Sequence, residues 1–169
     1  MEIRYLKSND AGEWLRLRLE ALRGDPAAFS ASFEEYQSLK LEEVIARLWS
    51  SEDAFVVGGF KGERLTAMAG FYRDKGLKTR HKGRIWGVYV TPSERTQGTG
   101  RRLLQALLER AEKIEGLEQI MLSVTETQTA ALALYRSLGF ESFGREPRAL
   151  KIEDRTIDEE YMVLRLRRE

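Results

Sequence analysis

Polar and apolar residues alternate from Glu2 to Leu6, a two-residue period that predicts a short strand. The period then changes. Asp10 with Glu13 three residues on predicts a capping box, and Trp14, Leu15, Leu19 and Leu22 fall on one side of a helix that Gly24-Asp25-Pro26 ends. Phe29, Phe33 and Tyr36 follow among serines and glutamates, and Leu41, Val44, Ile45 and Leu48 repeat at the spacing of a second core-facing helix. From Ala54 the pattern is that of strands: Ala54-Phe55-Val56-Val57, a turn at Lys61-Gly62-Glu63-Arg64, and Leu65 to Arg73. A polar link from Asp74 to Lys82 leads to a further strand, Arg84 to Val90. Leu103, Leu104, Leu107, Leu108, Ala111 and Ile114 mark one face of a helix that Gly116 stops, and Leu117, Ile120, Leu122 and Val124 supply another strand. Thr129 to Ser137 is a short helix closed by Gly139, and Phe140 to Ile152, a turn at Glu153-Asp154-Arg155, and Thr156 to Leu166 form a long hairpin. Hairpins plus one crossover helix between strands predict an α/β (α+β) domain, a mixed sheet flanked by helices. One domain over residues 1–169 accommodates all of it.

Composition narrows the chemistry. Hydrophobic residues make up 42% and charged residues 33% of the 169, as in ordinary globular proteins rather than disordered ones. With 28 Lys+Arg against 27 Asp+Glu the net charge is +1, so no overall basic field favours nucleic acid or an anionic membrane. There is no cysteine, which removes disulfides, Cys-ligated zinc and a thiol nucleophile together. Charges run through the first 25 residues, and the longest apolar runs, such as Ala54 to Phe60, are too short to cross a bilayer. The expectation is a cytoplasmic protein, with no membrane or nucleic-acid partner.

The stretch most suggestive of chemistry lies between the strand Arg84–Val90 and the helix after it: Pro92-Ser93-Glu94-Arg95-Thr96-Gln97-Gly98-Thr99-Gly100-Arg101-Arg102-Leu103-Leu104. The first turn of a helix has N–H groups without partners and a partial positive charge, and glycines at 98 and 100 let an anion reach them. Arg95, Arg101 and Arg102 add full charges, so the loop suits phosphate or pyrophosphate. The same glycines would also serve a plain surface loop that starts a helix. A dinucleotide fingerprint would need glycine where Leu103 stands, and the P-loop pattern is absent.

Arg95-x-x-Gly98-x-Gly100 resembles the coenzyme A pyrophosphate loop of the GNAT superfamily of N-acetyltransferases. A second stretch, Val124 to Phe140, resembles the family's other block, in which a strand leads to a helix ending in Leu134-Tyr135, a few residues before Gly139-Phe140. The resemblance implies a single, mostly antiparallel sheet. It also implies acetyl-CoA as cosubstrate with no metal, and transfer to a primary amine of a small molecule or a peptide N-terminus. The partner is accordingly a small-molecule amine or peptide acceptor, and the chain a monomer or homodimer. Backbone groups of Val88, Tyr89 and Val90 would meet the pantetheine arm, and the loop Arg95, Thr96, Gln97, Gly98, Thr99, Gly100 and Arg101 the pyrophosphate. Tyr135 would protonate the departing thiolate. Gln128 stands where the family commonly has an asparagine that contacts the coenzyme. Leu122-Ser123-Val124 lacks the glutamate that members acetylating ribosomal protein N-termini commonly carry. Glu126, three residues on, is the substitute candidate for the general base; His81, between basic residues of a polar link, is not favoured.

Without cysteine, the simplest route is direct attack of the amine on the thioester in a ternary complex, with a backbone N–H at Val88 to Val90 meeting the oxyanion. A lysine-like amine with pKa about 10.4 pays roughly 4.6 kcal/mol to be neutral at pH 7, an α-amine near 7.7 only about 1 kcal/mol. A chain with no clear base therefore favours an α-amine or a water relay from Glu126. Phe29, Phe33 and Tyr36 are candidates to line the acceptor pocket, although aromatics there equally suit a core. The competing class is a non-catalytic acyl-CoA sensor or interaction module on the same scaffold. Lys75, Lys78, Arg80, Lys82 and Arg84 lack the interleaved aromatics of a nucleic-acid site.

Overall fold

The computed structural model describes residues 1–48 and 50–166, which build one seven-stranded sheet. Its strands are β1 (Glu2–Tyr5), β2 (Ala54–Lys61), β3 (Arg64–Arg73), β4 (Lys82–Val90), β5 (Gln119–Thr125), β6 (Glu141–Ile152) and β7 (Arg155–Arg165). The helices are α1 (Ala11–Gly24), α2 (Phe33–Gln37), α3 (Leu41–Arg47), α4 (Thr99–Ala111) and α5 (Thr129–Ser137). The spatial order is β1-β2-β3-β4-β5-β7-β6, and every neighbouring pair is antiparallel except β4 with β5. Parallel neighbours need a crossover, and α4 provides it.

The sheet is buried on both faces at its centre. One face packs Val57, Ala67, Phe71, Ile120 and Leu122 against Leu103, Leu104 and Leu107 of α4 and Leu132 of α5. The other packs Val56, Leu65 and Met68 against Trp14, Leu17 and Ala21 of α1 and Val44 of α3. This explains why β2 and β3 are continuous apolar runs rather than alternating ones. Among the described residues no helix is long and apolar enough to span a membrane.

Three local expectations are corrected. The 3-10 turn Ser8–Asp10 runs straight into α1, so Asp10 is already helical (φ −86°, ψ 0°) and cannot take the extended conformation of a cap. Its carboxylate pairs instead with Arg4 at 2.8 Å and accepts from the Lys7 N–H, while Glu13 pairs with Arg16 and accepts from the Leu65 N–H at 2.9 Å. The buried stripe of α1 is also rotated. Leu15 and Leu19 are half-buried, and Ala11, Trp14, Leu17, Arg18, Ala21 and Leu22 form the inner face. Leu41 of α3 is 52% exposed, whereas Val44 and Leu48 are buried.

β2 runs past Val57 because Gly58 and Gly59 continue it: a Cβ at Gly58 would lie 2.5 Å from Leu6 Cδ1. The same economy of space at Gly70 in β3 seats Trp86, whose ring would lie 2.2 Å from an added Cβ. Gly70→Ala is therefore expected to cost about 1–3 kcal/mol by overpacking. A urea denaturation midpoint equal to that of the wild type would show that the indole has room to move.

Candidate active site

β4 and β5 are paired only at Lys82–Gln119, Gly83–Ile120 and Arg84–Met121, after which they part. The cause lies in β4. Its register with β3 shifts between Met68 and Gly70, and Gly87 takes φ +61°, a left-handed conformation that suits glycine and bulges the strand. Thr91 donates its N–H to Thr66 O, so the adjacent Val90 directs its own to the opposite edge, into the gap. Tyr89 by the same alternation bonds toward β3, and its ring packs on the α1 side. A cavity of about 80 Å³ occupies the gap, lined by Phe29, Trp86, Val88, Ser123, Gln128 and Tyr135 among others.

At the end of β4 the chain turns through Pro92–Glu94 and enters α4 with Gly98 as its N-cap at φ +74°, ψ 8°. Space surrounds Gly98, so glycine serves the backbone angle there. Gly100 has the other use: an added Cβ would stand 3.2 Å from Leu134 Cδ2, so α4 begins close against α5. Arg102 N–H is bonded back to Gly98 O at 3.0 Å, and the N–H groups of Thr99, Gly100 and Arg101 precede it at the helix N-terminus. No side chain caps them. The side chains of the loop close on the protein itself: Arg95 Nε donates to Val90 O at 2.9 Å, Thr96 Oγ1 to Arg95 O at 2.6 Å, and Gln97 Nε2 to Ser93 O at 3.1 Å. Arg101 donates to Ser137 Oγ at 2.6 Å, and Thr99 is buried. The backbone N–H groups at the start of α4 are thus the part of the loop that fits a pyrophosphate.

Tyr135 is 6% exposed, edge-on to Phe140 with ring centres 5.9 Å apart, and borders the cavity. Burial pushes its hydroxyl far above the usual tyrosine range, so the group stays protonated. Gln128 borders the same cavity, and its Nε2 donates to Asp25 Oδ1 at 3.2 Å, tying the start of α5 to the end of α1. Phe29 borders it as well. Phe33 lines a different groove, with Pro26 and Leu150, and Tyr36 another, with Arg47 and Phe55. Glu126 is exposed and does not line the cavity: its carboxylate is held by Arg145 and accepts from the Asp158 N–H at 3.3 Å.

Trp86, which the sequence pattern did not single out, and Ser123, which it noted only for the glutamate missing there, border the cavity, and Glu159, also not singled out, lies beside Ser123 without lining the cavity. Ser123 pairs across the sheet with Tyr161, and Thr125 with Glu159, so Ser123 and Glu159 share the face that looks toward α1. Glu146 of β6 is opposite Glu159 on that face. Partial burial raises the Glu159 carboxyl above the usual range, the like charge of Glu146 adds to it, and the Ser123 hydroxyl opposes it.

A family model described as "Acetyltransferase (GNAT) family" matches residues 16–140, and the chain belongs to that family. It is 33% identical over 136 residues to a mycothiol acetyltransferase of Thermobispora bispora, which covers 78% of this chain and 43% of that protein. The chain thus spans less than half the length of that relative. Its fold matches an acetyltransferase of the GNAT family from Streptococcus pneumoniae with a TM-score of 0.86, at 24% identity and covering 97% of this chain and 98% of that one. It also matches yncA of Salmonella typhimurium, a putative acetyltransferase solved with its cofactor acetyl-CoA, with a TM-score of 0.81, at 22% identity and covering 100% and 95%.

Proposed function

We propose that this chain transfers an acetyl group from acetyl-CoA to a primary amine of a small molecule. The observation that carries the proposal is the gap between β4 and β5, which joins Tyr135 on one face of the sheet to Ser123 and Trp86 on the other. Acetyl-CoA, when bound, supplies the acetyl group as a thioester and departs as a thiol. The N–H groups that begin α4 hold its pyrophosphate. A backbone N–H of the Val88 to Val90 stretch, that of Val90 facing the gap, stabilises negative charge on a carbonyl oxygen there. The Tyr135 hydroxyl, neutral because it is buried, donates a proton to the sulfur. Glu159, rather than Glu126, accepts the proton of the amine, since it lies on the acceptor side and its raised pKa makes it a better base than an ordinary carboxylate.

CoA or acetyl-CoA at 100 times its dissociation constant is expected to add about 2.7 kcal/mol to the stability of the fold, read as a rise in Tm. No rise at millimolar CoA would defeat the assignment. A rise with CoA but no thiol released across a broad panel of amines would favour the acyl-CoA sensor instead.

A further inference from the structure

Arg18 lies on the inner face of α1, between Leu17 and Leu19, and is 5% exposed. Its guanidinium sits between two aromatic rings, 4.8 Å from the centre of Tyr36 and 4.9 Å from that of Phe29. Among the described residues no carboxylate pairs with it, and its Nε and Nη1 are buried with no hydrogen-bond acceptor. Burial and the neighbouring charge of Arg47 both act against its protonation, the Tyr36 hydroxyl in favour of it. Arginine nevertheless stays charged in proteins. Aromatic faces attract a cation but leave its N–H donors unsatisfied, and an unpaired buried charge is among the most costly features a fold can carry.

The free donors point to where the missing acceptor belongs. A Cβ placed on Gly87 would lie 3.5 Å from Nη1, and Gly87 borders the cavity between β4 and β5. Glycine is there for its φ of +61°, and with no side chain it leaves only backbone between the cavity and the guanidinium. Phe29, stacked on the same guanidinium, borders that cavity too. Arg18 approaches from the α1 side, the face that carries Ser123 and Glu159, and so lies on the acceptor side of the sheet. A carboxylate oxygen is the charged acceptor such a donor lacks, and of the two orphaned donors, which point to different sides of the guanidinium, Nη1 is the one beside Gly87 that it would meet.

We propose that the acceptor is an amine that also carries a carboxylate, as α-amino acids do, and that Arg18 is the residue that selects it by pairing with that carboxylate. The proposal rests on the acetyl transfer proposed above. The amine then meets Glu159 while the carboxylate meets Arg18, so one small zwitterion satisfies both charges.

The test compares L-α-amino acids with their decarboxylated amines and carboxamides. Each is assayed for thiol release from acetyl-CoA, and separately for binding by calorimetry in the presence of CoA. Wild-type protein is expected to favour the carboxylate-bearing member of a pair by about 100-fold in kcat/KM or in affinity, equivalent to about 2.7 kcal/mol. Arg18→Met is expected to erase that preference through its loss of carboxylate-bearing acceptors, while the decarboxylated amine and the CoA-induced rise in Tm change by less than about threefold and a degree or two respectively. The variant should be no less stable than wild type without ligand, because the burden of the unpaired charge is gone. Equal use of both members by the wild type would overturn the proposal whether or not the variant folds, and so would a variant that loses both members equally. Binding of amino acids with no acetylation would leave Arg18 as their carboxylate site and defeat the transfer; acetylation without regard to the carboxylate would do the opposite.

Discussion

Tyr135→Phe is expected to lower turnover by roughly 10²–10⁴-fold with saturating acetyl-CoA and a competent amine, while CoA affinity and Tm change little. The ring sits edge-on to Phe140 in the core beneath α5, and phenylalanine keeps that packing. Only the hydroxyl is lost. Because burial raises its pKa, the wild-type hydroxyl remains a donor throughout the neutral range, and no alkaline limb below about pH 10 should arise from it. A tyrosine with a raised folded-state pKa binds its proton more tightly folded than unfolded. Its linked stability is therefore intact below the unfolded pKa of about 10 and falls as the pH rises beyond it, a slope that the phenylalanine variant should lack. A fall in turnover of less than about threefold, in an assay limited by chemistry, would remove Tyr135 from the mechanism.

Glu159→Gln should produce the other large loss, roughly 10²-fold or more at neutral pH, with CoA binding retained. The wild-type acid limb of kcat/KM is expected above the ordinary glutamate value of about 4.3, since burial and Glu146 both disfavour the ionised form. Glu146→Gln removes the like charge and should move that limb down. The sign for stability is opposite to that of a salt-bridged carboxylate: a raised folded-state pKa means stability is greatest below about 4.3 and declines as the pH rises through the folded value. Glu159→Gln should thus lose activity without losing stability at pH 7. Activity within about threefold of wild type would transfer the role of base elsewhere, with Glu126 next to be tested.

The parts of this site that follow one another in the chain were legible in the sequence. The glycine loop, the stripe of α4, and Leu134-Tyr135 before Gly139-Phe140 are local patterns, and the structure forms the helices there. What depends on register was not. Glu159 meets Ser123 because β5 and β7 align Thr125 with Glu159, and a glutamate between Asp158 and Glu160 otherwise reads as solvent-facing. Glu126 was conspicuous as the carboxylate nearest Ser123 in sequence, but nothing local showed that Arg145, on a strand beyond β7, would hold it. Arg18 was hidden by its type, since a charged residue between leucines is assigned to the outer face of a helix. The rotation of the α1 stripe, driven by Ala11, Leu17 and Ala21, is what turns it inward.

The gap between β4 and β5 is bordered from both faces of the sheet, by Ala131 and Tyr135 on one side and by Ala28 and Phe29 on the other. This divides the labour between two sets of elements. In the proposed reaction the loop before α4, with α5, would handle the donor, and α1 with the segment after it would surround the acceptor. Under the proposed transfer, substitutions on the second set that leave the bond between Gln128 and Asp25 intact would change what is acetylated while sparing the machinery that holds the acetyl donor, because that bond ties the side chains of the two sets away from the shared strands. The sheet thereby works as a fixed counter across which one invariable supplier serves exchangeable customers.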